Sequence, residues 1–252
     1  MKISACVDML YNGRDFFEGV KELYAQGINT IEFWKWTNKD IERIKNEVVA
    51  KGVKVSGFCV DSADFNDECL PKGDIKAFRS AVLESVQVAK ELGADFLITT
   101  LGDNVAELSY DEQVSNIKKC LCDIIPILND NNITLVLEPI NRTERADYLL
   151  DKTEPVFEII KEIGSDNIKL LYDVYHQDIT GDYSEDTIAE NIGLIGHLHF
   201  ADVPGRNEPG SGKINFKKLL TILSDMGYNG CIGLEYSPKN ESIEETVKKL
   251  KI

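Results

Sequence analysis

The chain has 252 residues, 43 % of them hydrophobic, and a formal net charge of −15. That length matches a single α/β-barrel domain of about 250 residues, so one domain over 1–252 is expected. A surface this acidic repels phosphate backbones, and Lys-rich pieces such as KNEVVAKGVK and VKKLKI are interleaved with acids, so nucleic acid is not an expected partner.

No stretch approaches roughly eighteen apolar residues, so no membrane span is expected. The N-terminus MKISACVDML carries one Lys and then a mixed run with Asp8, unlike a signal peptide. Cys6, Cys59, Cys69, Cys120, Cys122 and Cys231 contain no C-x-x-C pair and read as reduced thiols of a cytoplasmic protein.

Strand-like and helix-like runs alternate from end to end. KISACV (2–7) precedes a helical segment near 13–26, NTIEF (29–33) one near 38–51, and VKVSGFC (53–59) one near 74–92. DFLITT (95–100) precedes 111–130, ITLVLE (133–138) precedes 153–163, IKLLYD (168–173) precedes 184–192, IGHLHF (195–200) precedes 215–226, and GCIGLEY (230–236) precedes 241–250. The strand-like runs are short and mostly continuous, as in strands buried on both faces of a parallel sheet. Thr37-x-x-Asp40 and Ser242-x-x-Glu245 have the form of capping boxes. Gly27, Gly52, Gly93, Gly164 and Gly227 each follow a helical run, where a left-handed residue is wanted.

This βα register, with no strand left over, predicts an α/β fold of the closed (β/α)8 TIM barrel type rather than an open doubly wound sheet. No G-x-G-x-x-G follows the first strand, which gives a dinucleotide fold little support. The segments Asp61 to Gly73, Pro139 to Lys152 and Ala201 to Lys213 are long, and all follow strands. Barrel sites are built from those loops.

At that same end lie Glu138, Asp173, His199 and Glu235, each close to the end of an apolar run. Any one alone reads as a cap, a salt bridge or a hydrogen-bonded core histidine. Acids are rarely buried without a partner, and successive strands each supplying one points to a shared divalent cation. Mainly oxygen donors with one imidazole suit Mn²⁺ or Mg²⁺, with Co²⁺, Fe²⁺ or Zn²⁺ as alternatives. The ion would polarise a substrate carbonyl and stabilise an enediolate, while Glu138 and Glu235, from opposite sides of the barrel, would move the proton. Trp34 and Trp36 could stack on a small sugar or simply pack under a loop, and Phe65 could close over the pocket. Glu32 could point either way and is not assigned to the site.

The segment Asp202-Val-Pro-Gly-Arg-Asn-Glu-Pro-Gly-Ser-Gly-Lys-Ile-Asn-Phe216 resembles the loop after strand seven in hydroxypyruvate isomerases, as do Ile232-Gly-Leu-Glu-Tyr-Ser-Pro238 and Tyr148-Leu after Glu138-Pro-Ile-Asn. The chain is thus similar to the xylose isomerase-like barrel superfamily over nearly its whole length. Two positions depart from hydroxypyruvate isomerases, which commonly carry Gln at the place of His199 and Glu at that of Lys213. Glu138-Pro-Ile-Asn-Arg-Thr-Glu144 also resembles the E-x-x-N-R-x-E segment of ketose 3-epimerases.

The resemblance implies Glu138, Asp173, His199 and Glu235 as metal ligands and Glu138 with Glu235 as the acid–base pair. It implies His176 and Arg206 as substrate contacts, with Glu144 supporting His176. The implied activity is isomerisation of hydroxypyruvate to tartronate semialdehyde, with ketose 3-epimerisation (tagatose or psicose type) as the alternative. Either way the partner is a small sugar or hydroxycarbonyl acid. Relatives often pair through outer helices and strand-end loops, so a homo-oligomer is an open expectation. Endonuclease IV shares the barrel, but its chemistry needs a His-rich multi-metal cluster, and this chain has 3 histidines. A metal-free binding protein is the remaining alternative.

Overall fold

The apolar runs become strands β1 (Lys2–Cys6), β2 (Thr30–Lys35), β3 (Lys54–Cys59), β4 (Phe96–Thr100), β5 (Thr134–Glu138), β6 (Ile168–Asp173), β7 (Ile195–Phe200) and β8 (Cys231–Leu234). In the computed structural model, which describes residues 1–66, 68–239 and 241–250, they pair in parallel in sequence order, and β8 returns to β1. The last two residues of the domain expected over 1–252 lie outside the described residues.

Closure buries both faces of each strand. One set of side chains packs outward against the helices in the main core, where Leu135, Leu170 and Leu198 are fully buried. A second, smaller cluster of Phe96, Ile98, Val136 and Leu171 forms a separate apolar patch, with Cys59 packed against it. This double burial is why the strands read as continuous apolar runs rather than alternating ones.

The outer layer is helical: Phe16–Ala25, Ile75–Leu92, Tyr110–Asn131, Thr153–Ile163, Glu185–Glu190, Phe216–Asp225 and Ile243–Leu250. The segment expected as one helix near 38–51 instead changes winding, from an α-turn (Ile41–Arg43) to a π-turn (Ile44–Val48) and a 3-10 turn (Val49–Lys51). Ile44 and Val48 are buried in this segment, and the neighbouring β-branched pair Val48-Val49 fits a regular α-helix poorly. Thr37 does not cap this segment: its hydroxyl donates to Asp61, and Asp40 is the cap, accepting from the Arg43 amide at 2.9 Å. The Ser242–Glu245 box forms as expected. Gly27, Gly52, Gly93, Gly164 and Gly227 all take positive φ.

Short helices that periodicity does not reveal follow β1, β3 and β6: Val7–Leu10, Cys69–Lys72 and Val174–Thr180. The last matters for the site, because its N-cap is Asp173, whose Oδ1 accepts from the amides of Tyr175 at 2.8 Å and His176 at 3.1 Å. No helix among the described residues is long and apolar enough to cross a membrane.

Candidate metal centre

Strands β5 to β8 bring Glu138, Asp173, His199 and Glu235 together at the C-terminal mouth, where one donor atom from each lies within 4.8 Å of the others. All four are buried. Register explains the meeting: Asp173 pairs with His199, and His199 with Gly233, two residues before Glu235. Nδ1 of His199 lies 3.2 Å from Glu235 Oε2, 3.6 Å from Glu138 Oε1 and 3.9 Å from Asp173 Oδ2. It makes no aligned hydrogen bond to any of them. A dry imidazole nitrogen facing three carboxylates is what a divalent cation would satisfy.

The electrostatics point the same way. Burial opposes a charge on His199, yet Glu235 and Glu32 overcome it and raise the imidazole well above its usual value. Burial pushes Asp173 up to about 6, against the pull of Arg206 and His199. Burial works against ionised Glu235 as well, but His199 and Arg206 win and hold it well below the usual carboxylate range. The three carboxylates draw positive charge inward, and Arg206 supplies part of it: Nη2 lies 2.5 Å from Glu235 Oε2 and 3.4 Å from Asp173 Oδ2.

Arg206 is carried by the loop after β7, which hangs on Asp202. That fully buried carboxylate accepts the amides of Val203 (2.8 Å), Gly210 (2.9 Å), Gly212 (2.8 Å) and Ile214 (3.1 Å). Gly212 must be glycine, since a Cβ would stand 2.2 Å from the Val203 carbonyl oxygen. Arg206 itself takes φ 55°, a left-handed conformation costing about 1–2 kcal/mol. Its ion pairs oppose that cost.

His176 sits beside the donors, with Nε2 3.6 Å from Asp173 Oδ2. Burial, then Arg206, lowers it to about 4, so the ring is neutral near pH 7. Glu144 Oε2 accepts from Arg206 Nη1 at 2.8 Å rather than bonding His176 directly. The residue that does is Asn141, whose Nδ2 lies 2.6 Å from His176 Nδ1. Asn141 is completely buried and its Oδ1 also accepts the Glu144 amide, so one side chain ties the long loop after β5 to the centre.

Sequence reasoning missed Glu32. It points inward, 1 % exposed, against His197 and His199. Burial alone would raise it, but the two imidazoles hold it at about 2. An acid in the middle of the apolar run NTIEF was the available signal.

Trp34 and Trp36 part company. Nε1 of Trp36 donates to the Asp61 carbonyl and to Ser85, so that ring packs under a loop. Nε1 of Trp34 donates to Glu235 Oε1 at 2.7 Å. Beside Trp34 opens a cavity of about 480 Å³, walled by Cys59, Phe65, Thr100 and Arg145 among others. It lies over the ends of β2, β3 and β4 and abuts the donor cluster through Trp34. A larger cleft of about 670 Å³ opens beside Lys2, Thr30 and Lys54, at the strand starts and away from the cluster.

The profile of the xylose isomerase-like TIM barrel matches residues 17–252. The chain belongs to that family. Within the xylose isomerase-like barrels it is 28 % identical over 244 residues to the hydroxypyruvate isomerase of Escherichia coli (strain K12), spanning 95 % of this chain and 94 % of that one. It is 26 % identical over 244 residues to the 2-oxo-tetronate isomerase of Cupriavidus necator, with 94 % and 93 % covered. Its fold matches an AP endonuclease, family 2, from Brucella melitensis with TM-score 0.90 at 22 % identity, covering 99 % and 98 %. It also matches a D-psicose 3-epimerase crystallised in the presence of D-fructose, TM-score 0.80 at 18 % identity, covering 99 % and 90 %. At those identities the two solved structures speak to the barrel alone.

Proposed function

We propose that this barrel is a divalent-metal-dependent isomerase of a small hydroxycarbonyl compound, with hydroxypyruvate and tartronate semialdehyde as the substrate pair. One observation carries the reading: four buried donors from consecutive strands face one another around an unsatisfied imidazole nitrogen. Names of full-length relatives supply the reaction class.

Glu138, Asp173, His199 and Glu235 would hold the ion. When bound, the cation supplies Lewis-acid polarisation of the substrate carbonyl. The protein moves the protons. One of Glu138 and Glu235 takes a hydrogen from C3 of hydroxypyruvate, a proton is returned at C2, and the hydroxyl hydrogen passes from O3 to O2, so the reaction balances with nothing added. Glu138 and Glu235 reach the centre from β5 and from just beyond β8, and would flank a bound substrate. Arg206 has the fork geometry for a substrate carboxylate, and neutral His176 for a substrate hydroxyl. Trp34 fixes the Glu235 carboxylate through its indole N–H.

A second reading, ketose 3-epimerisation, is favoured by His199 and by the segment Glu138 to Glu144. The same residues would serve, with proton removal and return at one carbon. The test is incubation of Mn²⁺-loaded protein with hydroxypyruvate and, separately, with fructose and tagatose. Conversion of hydroxypyruvate supports the first reading and conversion of a ketose the second. Turnover of neither set defeats both, and a chain that takes up no divalent ion after reloading is a binding protein on the same scaffold.

A further inference from the structure

Directly behind the donor cluster lies a second buried group: Glu32 from β2 with His197 and His199 from β7. Glu32 Oε2 is 2.9 Å from His197 Nε2, and Glu32 Oε1 is 3.4 Å from His199 Nε2. Neither Oε1 of Glu32 nor Nε2 of His199 makes an aligned hydrogen bond to any group, so the two face each other as unpartnered buried atoms. The exposures are 1 %, 0 % and 2 %, so water does not compete. Burying such a group without good geometry costs several kcal/mol.

The surrounding backbone leaves room for this group. Gly233, the register partner of His199, has no side chain to give: a Cβ there would stand 2.0 Å from Glu32 Oε1, 2.6 Å from His199 Cδ2 and 2.9 Å from His197 Nε2. The Phe96 ring packs 4.4 Å from the His197 ring, and Gly57 clears space for it, since a Cβ would lie 2.2 Å from Phe96 Cε2.

We propose that the Glu32–His197 pair is a positioning device for His199, holding the proton on Nε2 and so turning Nδ1, the nitrogen that a cation would take, toward Glu138, Asp173 and Glu235. With a cation at Nδ1 the imidazole would carry one proton, and the partner of one nitrogen decides the state of the other. Without Glu32, the three carboxylates facing Nδ1 would draw the proton to that nitrogen, where it would occupy the place of the cation. The consequence for ion binding rests on the function proposed above; the ring orientation does not.

The chain has 3 histidines, so imidazole ¹⁵N spectra of histidine-labelled protein resolve into few signals. In protein loaded with Zn²⁺, His199 is expected with its proton on Nε2, and in Glu32→Gln that Nε2–H resonance is expected to move. Mn²⁺ affinity by calorimetry should fall about 10- to 100-fold in the same variant, with the thermal melt little changed. His197→Gln, which retains a donor toward Glu32, should keep most of the affinity, and it carries the test if Glu32→Gln fails to fold. Wild-type Mn²⁺ affinity together with an unmoved His199 signal in Glu32→Gln would overturn the proposal. So would two ions per chain with one lost on Glu32→Gln, which would make the group a second metal site. If the wild-type chain binds no ion, the proposed function falls. The metal-free spectrum then decides the orientation: an Nε2–H signal sensitive to Glu32→Gln upholds it, and an insensitive one overturns it.

Discussion

Strands β5 to β8 present Glu138, Asp173, His199 and Glu235 at or beside their ends, whereas β1 to β4 end in Cys6, Lys35, Cys59 and Thr100. In both halves each strand is bonded to neighbours on two sides. The use differs. Donors that must meet within a few ångströms come from or beside consecutive strands, where flanking strands limit their movement. The opposite half supplies a wall, with Asp61 carried on the loop after β3. Precision is concentrated where the scaffold is stiffest, and latitude where substrates differ.

The comparison breaks most sharply at Glu235. Glu235→Gln should lower turnover about 10²- to 10⁴-fold, the usual worth of a positioned acid–base group. Its Mn²⁺ affinity should fall less than that of Asp173→Ala, read by calorimetry beside the kinetics. Near-wild-type activity in Glu235→Gln would return that half of the barrel to a purely structural role.

Next in size is Asp202→Ala. It strands backbone amides that one dry carboxylate now satisfies, and should cost about 3–5 kcal/mol in urea unfolding. A loss under about 1 kcal/mol would mean that water satisfies those amides in its place. On the wall side, Trp34→Phe keeps the ring but removes the bond to Glu235. Turnover should drop roughly tenfold, the worth of a hydrogen bond to a charged group, while metal affinity holds.

The smallest effect concerns thiols. Burial, then Glu235, raises Cys6, and burial, then Glu138, raises Cys59, so neither forms thiolate at pH 8. Exposed Cys122 should therefore take up iodoacetamide first in native protein, by mass spectrometry. Labelling of Cys59 ahead of Cys122 would show the β3 end to be far more open than its packing suggests.

Much of this centre was legible because strand, loop, helix and helix-ending glycine recur in the same order along the chain. That register alone brought Glu138, Asp173, His199 and Glu235 to one end. The face of β2 that Glu32 takes was harder to see, since its partner His197 lies 165 positions away. Trp34 and Glu235 are 201 positions apart, and no local pattern links them. The contact between Asn141 and His176 escaped for a similar reason. Within the long loop after β5, only three-dimensional packing places Asn141, rather than Glu144, against the imidazole.

The anchoring of the β7 loop on Asp202 has a consequence for traffic. Swinging that arm aside would abandon every amide held by its carboxylate, at about 1–3 kcal/mol for each stranded group. It is a fixed wall and no gate. A substrate of the proposed kind would enter instead across the rim near Lys35 and Asn66, both of which are exposed. Diffusion through that opening, rather than the swing of a door, would set the fastest rate at which the centre can be refilled.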